Sequence, residues 1–287
     1  MRALLEGFPP IGLTELVALA DLQRRYDEKY VVHLDDLARV LGRLSPSTRV
    51  LEVAGRRMTT YDTQYLDTAE LRSYRDHVQG RRRRYKLRVR RYGDTGPAML
   101  EVKLKGHRGS TIKHRRERAG RRGGALDQEE RAFVAAALWE SYGWPLPTTL
   151  GPSARLRFQR ATLVDTEAGE RLTVDVGLTA EVAGRRVAFD RSQAIVEVKS
   201  PTLRGPTRRR LLDLGLRPGR ISKYGVAIAA SRPEVPVAPW TLVLRALAPT
   251  VAVPVDRLRP WTLDGDDVAD AGLGHRTDAV AWTDAVA

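Results

Sequence analysis

Charged residues at two-residue spacing give this chain its most chemical feature. Arg84, Lys86, Arg88 and Arg90 alternate with Tyr85, Leu87 and Val89. Glu101, Lys103 and Lys105 alternate with Leu100, Val102 and Leu104. Arg171, Thr173 and Asp175 alternate with Leu172, Val174 and Val176, and Glu197 and Lys199 with Val196 and Val198. Near the N-terminus Arg25, Asp27 and Lys29 follow the same rhythm less cleanly. Spacing of two puts such groups on one face of a strand. Lys and Arg dominate that face and carboxylates appear singly. Guanidinium offers a planar bidentate fork and ammonium a compact point charge. A face of this kind suits phosphate, and a mixed lining suits a polyphosphorylated ligand.

Two arrangements satisfy the alternation. One is a half-buried sheet with its charges turned to water. The other is a barrel whose charged faces line the inside. Like charges opposed across strands destabilise a pair, which weighs against the first. Helices expected at 34–44 and 127–142 carry apolar faces, and packed outside a barrel they would cover its apolar exterior. Enclosed cations then require an anionic occupant or interleaved carboxylates.

The elements that must position these residues follow from pattern and punctuation. Strands are expected at 25–33, 56–62, 82–92, 98–105, 109–118, 155–165, 170–179 and 193–199, with a further turn at Ala183-Gly184. Helices are expected at 13–22, 34–44, 68–78, 127–142 and 207–214, with Asp127 as N-cap. Turn or loop composition marks 93–97 and 121–126. Residues 222–230 close the ordered part. The fold class is α+β, an antiparallel barrel with helices outside. Residues 1–235 form the domain, and 236–287, rich in Pro, Ala and Asp, a partly docked or disordered tail in which Leu242–Ala248 docks.

Composition narrows the partners. The chain has 287 residues, a formal net charge of +14 and 42% hydrophobic residues, enough for a real core and biased toward polyanions. Residues 237–287 hold seven Asp against four Arg, so the excess positive charge lies upstream. There are no cysteines, which excludes disulfides and Cys-ligated zinc. No apolar run reaches membrane-spanning length. The N-terminus lacks a secretory pattern, so a cytoplasmic location is expected. The basic faces lack interleaved aromatics for stacking bases, so nucleic acid is not the expected partner.

Eight stretches carry a family resemblance: RYDEKYVV (25–32), TTYDT (59–63), GRRRRYKLRVRRYGDTG (80–96), LEVKLKGHRGSTIKHR (100–115), RFQRATL (157–163), RLTVDVGL (171–178), IVEVKS (195–200) and SKYG (222–225). In this order they resemble the VTC domain, the polyphosphate polymerase branch of the triphosphate tunnel metalloenzymes. The resemblance implies an antiparallel tunnel of about eight strands, basic inside. It implies that Lys29, Arg88, Arg90, Lys103, Arg171 and Lys223 act on the transferred phosphates. Lys113, Arg160, Lys86 and Lys199 would bind substrate. Glu197 would hold a divalent metal, Mn²⁺ or Mg²⁺, with Asp175 and Glu101 as weaker ligands. The implied reaction moves the γ-phosphoryl of ATP to inorganic phosphate or a growing polyphosphate chain. A triphosphatase or nucleotide cyclase on the same scaffold, or a non-catalytic polyanion binder, are the alternatives. Two positions depart from the superfamily. Its Glu-x-Glu-x-Lys opening is here Arg25-x-Asp27-x-Lys29, which argues against a triphosphatase. The family tyrosine two residues before Arg160 is Phe158.

Overall fold

The structure is a computed structural model that describes residues 1–19, 25–93, 96–106, 110–118 and 124–252. Its helices are α1 (Arg2–Glu6), α2 (Leu13–Leu19), α3 (Leu34–Leu41), α4 (Arg72–Val78), α5 (Gln128–Tyr142), α6 (Pro206–Asp213), α7 (Lys223–Ser231) and α8 (Thr241–Leu247). Its strands are β1 (Pro10–Ile11), β2 (Tyr26–His33), β3 (Thr48–Leu51), β4 (Thr59–Asp67), β5 (Tyr85–Tyr92), β6 (Ala98–Lys105), β7 (Thr111–Arg118), β8 (Gly151–Asp165), β9 (Glu170–Val182), β10 (Arg185–Ala188), β11 (Gln193–Ser200) and β12 (Thr250–Ala252).

Eight strands run antiparallel in the order β2-β11-β9-β8-β4-β5-β6-β7. Among the described residues β2 and β7 do not pair with each other, so the wall is a curled sheet with a seam. Long β8 and β9 pair with each other, and each serves two further partners along its other edge. Beyond its pairing with β4, β8 takes β3, on which β1 lies parallel. Past its pairing with β11, β9 takes β10, which takes β12.

Local chemistry explains the joints. The β8–β9 turn is held by Asp165, whose Oδ1 accepts from the amides of Glu167 and Ala168. Ala183 (φ 48°) and Gly184 (φ 75°) form the β9–β10 turn, with positive φ at both central positions as a tight hairpin requires. Asp127 and Glu130 close a capping box at the start of α5.

Some boundaries differ from expectation. The strand expected at 56–62 begins at Thr59, because Val53 and Arg56 pair across a tight turn at Ala54-Gly55. The helix expected from 68 begins at Arg72. Asp67 accepts from the amides of Thr68, Ser73 and Tyr74, and a turn closed by the Leu71 amide on the Thr68 carbonyl precedes the helix instead. Arg84 precedes β5 and folds back to the carbonyl of Arg81, so it does not extend the strand's charged face. The stretch from 222 is helix over Lys223–Ser231, capped by Ser222. Residues 20–22, 94–95, 109 and 121–123 of expected elements lie outside the described residues.

The apolar strand faces turn outward under helices. Leu37, Val40 and Leu41 of α3 pack on Tyr30, Val32, Ala194, Val196, Leu172 and Val174. Val134, Ala137 and Leu138 of α5 pack on Leu87, Leu100 and Val102. α7 departs from that arrangement. Its Tyr224, Val226 and Ile228 join Tyr61, Tyr65, Tyr92, Leu156 and Phe158 in one cluster, and these strand residues lie on the inward face. Of the segment after residue 235, Trp240, Val243 and Leu247 are buried in that cluster, and 253–287 lie outside the described residues. No helix among the described residues is long and apolar enough to cross a membrane.

Candidate functional site

Register brings the charged faces together. Across β5, β6 and β7, Lys86 sits opposite Lys103 and Lys103 opposite Lys113; Arg88 sits opposite Glu101 and Glu101 opposite Arg115. On the facing wall Glu197 lies between Lys29 and Thr173, and Lys199 between Asp27 and Arg171. Asp175 is opposite Arg160, and Arg90 opposite Thr63. Lys223 enters from the first turn of α7. Every site residue named from the sequence therefore lies on one concave surface. The walls converge: Lys29 and Lys103, from β2 and β6, each feel Glu197, and Lys103 feels Lys29.

Each carboxylate in this hollow is held by cations. Glu197 Oε1 accepts from Lys29 Nζ at 3.0 Å. Asp175 accepts a two-pronged contact from Arg160, Nε to Oδ1 at 2.6 Å and Nη2 to Oδ2 at 2.8 Å, and Lys223 Nζ meets the same Oδ2. Glu101, with 0% of its side chain exposed, pairs with Arg88 Nε at 2.5 Å, and Arg115 and Lys113 stand 3.4 and 4.0 Å from its other oxygen. Burial opposes all three charges, and the neighbouring cations win. Lys29, Lys199, Arg160 and Lys103 hold Glu197 well below the usual carboxylate range. Arg160 and Lys223 depress Asp175. Arg88 and Arg90 bring Glu101 down to about 2.

The remaining cations meet fewer carboxylates. Lys86 donates to Ser222 Oγ at 2.9 Å. Arg90 donates to Thr63 at 3.3 Å, and its guanidinium lies 5.3 Å from the Tyr61 ring. Lys103 has no hydrogen-bond or ion-pair partner among the described residues, and its side chain stays accessible within the hollow. Withdrawal from bulk water inside the concave wall, reinforced by Lys29 and Arg88, still lowers it to about 8. Burial and the charges of Lys103 and Lys29 push Lys86 well below the usual lysine range. Burial also depresses Lys199, with Arg171 and Arg25 adding to the effect against Glu197. Arg171 falls to about 10 through burial and the Arg25 charge. Lys29 moves up, because Glu197 outweighs burial.

The sequence reasoning missed two contributors. Arg115 follows Lys113 by two residues and could have been read from the same alternation. Tyr65 lies on the inward face of β4, where its hydroxyl accepts from Arg88 Nη1 at 3.5 Å. Burial raises its pKa, but Arg88, Arg90 and Lys223 overcome this and lower it. Its stretch TQYLD carries no charge alternation that would have marked it.

The residues fit a divalent metal at one carboxylate. Among the described residues no three His, Cys, Asp or Glu side chains cluster. Both oxygens of Asp175 are occupied by Arg160 and Lys223, and Glu101 is sealed among three cations. Glu197 directs only Oε1 to Lys29 and keeps 13% of its side chain exposed. A single carboxylate with waters and phosphate oxygens is a coordination that Mg²⁺ or Mn²⁺ accepts.

An antiparallel tunnel wall with a cationic hollow defines the class. The pattern of the VTC domain matches residues 24–232, and the chain belongs to this family. No curated protein matches it. Among solved structures it is similar to a protein from Hippeastrum named as an adenylyl cyclase with a dominant triphosphatase activity. That likeness has a TM-score of 0.45 and 16% identity, over 75% of this chain and 99% of that one. It is also similar to a Bacillus halodurans protein named as an adenylate cyclase, with a TM-score of 0.43 and 13% identity, over 68% of this chain and 92% of that one.

Proposed function

We propose that the chain is an ATP-dependent polyphosphate polymerase, transferring the γ-phosphoryl of ATP to inorganic phosphate or a growing polyphosphate chain. One observation carries this reading: cations from β2, β5, β6, β7, β8, β9, β11 and α7 converge on one hollow whose few carboxylates are already neutralised. Such a surface favours a ligand that brings several negative charges in a row. Family membership over residues 24–232 supports it.

Phosphoryl transfer asks mainly for in-line positioning and charge on the non-bridging oxygens. Arg88, Arg90 and Arg171 would grip those oxygens as forks. Lys29, Lys86, Lys103, Lys113, Lys199 and Lys223 would follow them as point charges. Arg160 is committed to Asp175, and together they fix Lys223. The acceptor oxygen of a phosphate is already a nucleophile, so no side chain need take its proton. Glu197 would hold a divalent ion, which when bound supplies positive charge to the phosphate oxygens.

Purified protein with ATP and Mn²⁺ tests the reading by its products. Long polyphosphate with ADP is expected, and Glu197→Ala is expected to abolish turnover while retaining polyanion binding. Free phosphate alone would make the chain a triphosphatase, and cyclic nucleotide a cyclase. No turnover in the native chain would leave a polyanion binder.

A further inference from the structure

Among the described residues Trp139 is the one tryptophan left in water, with 66% of its surface exposed. It sits on α5, which packs on the outer face of β6 through Val134, Ala137 and Leu138. The opposite face of α5 carries Gln128, Ala132, Ala136 and Trp139, all exposed, with Ala135 half-buried beside them. These positions recur at three and four residues, so they form one continuous face. The charges at the start of the helix are already used: Glu129 pairs with Arg116, and Glu130 with Arg118. Arg131 and Glu140 flank the open face, one on either side, and neither has an ion-pair partner among the described residues.

This face is complementary to itself. Ala132 and Trp139 stand equally far from the midpoint between Ala135 and Ala136, on opposite sides along the helix, and so do Arg131 and Glu140. A two-fold axis through that midpoint, perpendicular to the helix, lays a second α5 antiparallel on the first. Each indole of Trp139 then covers Ala132 of the second copy. The central alanines meet one another, and their single methyl groups let the backbones close up. Each Arg131 faces Glu140 of the second copy, so two charge pairs form together.

From this match we infer that α5 is the contact between two copies of the chain in a two-fold dimer. The contact withdraws both indoles from water and gives the two unused charges partners. It lies outside the wall whose inner face carries Glu101 and Lys103, so pairing leaves the hollow clear and the inference stands apart from the phosphate reading. One helix from each copy buries little surface, so the dimer is a weak one.

Sedimentation equilibrium of the full chain over about 1–500 µM tests this. The mass is expected to rise from one chain toward two and to stop there. Arg131→Glu and Glu140→Arg each set like charges against each other twice in the dimer, and each is expected to raise the dissociation constant by about tenfold or more. Both keep the helix, since an acid near its N-terminus and a base near its C-terminus suit the dipole, and melting curves check this. The double variant Arg131→Glu/Glu140→Arg restores the attraction and is expected to return the constant to within about threefold of the native value. Trp139→Ala, which alters an exposed side chain, is expected to weaken the dimer by about tenfold. A native chain that stays single at every concentration would leave this face to some other partner and overturn the inference. Assembly beyond two copies, a dimer indifferent to Trp139→Ala, or a double variant no tighter than the single ones would overturn it as well.

Discussion

Two neighbouring cross-strand rows on β5, β6 and β7 face the same hollow and are built in opposite ways. In Arg88–Glu101–Arg115 a carboxylate sits between two guanidiniums. In Lys86–Lys103–Lys113, one pleat along, cation stands beside cation beside cation. The first row balances its charges, Arg88 bonding Glu101 directly and Arg115 standing 3.4 Å from it. The second holds like charges directly opposite, an arrangement that costs stability until an anion arrives. On the proposed reading Arg88 would serve both the carboxylate beside it and the phosphate, while the lysine row two residues away would serve the phosphate alone.

The largest effect should come from breaking the charge-balanced row. Glu101→Ala would strand three cations around a fully buried position and is expected to cost about 3–5 kcal/mol in denaturant unfolding. Phosphate or tripolyphosphate in the buffer should restore part of that loss. A variant as stable as the native chain would mean that Glu101 does not hold the row together.

The lysine row should respond in the other direction. Lys103→Met removes the central charge, so the ligand-free protein should become more stable while tripolyphosphate binding weakens by about tenfold. Melting curves and titrations on the same preparation would show the two changes moving oppositely. If both fall together, Lys103 is a structural residue.

A pH series sharpens the same contrast. Lys103 is depressed to about 8 when folded against 10.5 for the ordinary group, so above pH 8 the unfolded chain binds the extra proton. Stability of the ligand-free protein should therefore rise between pH 8 and about 10. Affinity for tripolyphosphate should fall over the same window as the ammonium is lost. Lys103→Met should reduce both trends without abolishing them, since Lys86 and Lys199 are depressed as well, and a native chain whose stability is level from pH 8 to 10 would contradict the assignment.

The smallest effect belongs to Tyr65. Its contact with Arg88 is long, so Tyr65→Phe should weaken tripolyphosphate binding by about 1 kcal/mol or less and leave melting unchanged. A loss as large as that of Lys103→Met would place the phenol among the main phosphate contacts.

The sequence made the faces legible and the partners illegible. Alternation along β5, β6, β9 and β11 identified the charged side correctly, because period two fixes side-chain direction without reference to the rest of the fold. The apolar stripes of α3 and α5 correctly pointed to which side they cover. Contacts set by strand order were beyond reach: Lys29 and Glu197 are 168 residues apart, and nothing local pairs them. Residues 222–230 form an apolar run whose period does not separate strand from helix. Only tertiary context makes it the helix that delivers Lys223 to Asp175. β3 was missed because its four residues are too short for a pattern to emerge.

At Gly225 the backbone of α7 lies so close to the indole of Trp240 that an added Cβ would come within 2.6 Å of the ring. The helix bearing Lys223 and the chain that follows it therefore interlock at a single missing methyl group. Alanine at 225 would act as a wedge, levering the indole outward and turning the first turn of the helix away from Asp175. A substitution that itself carries no charge would then disturb the Lys223–Asp175 contact and the packing of Trp240 at once.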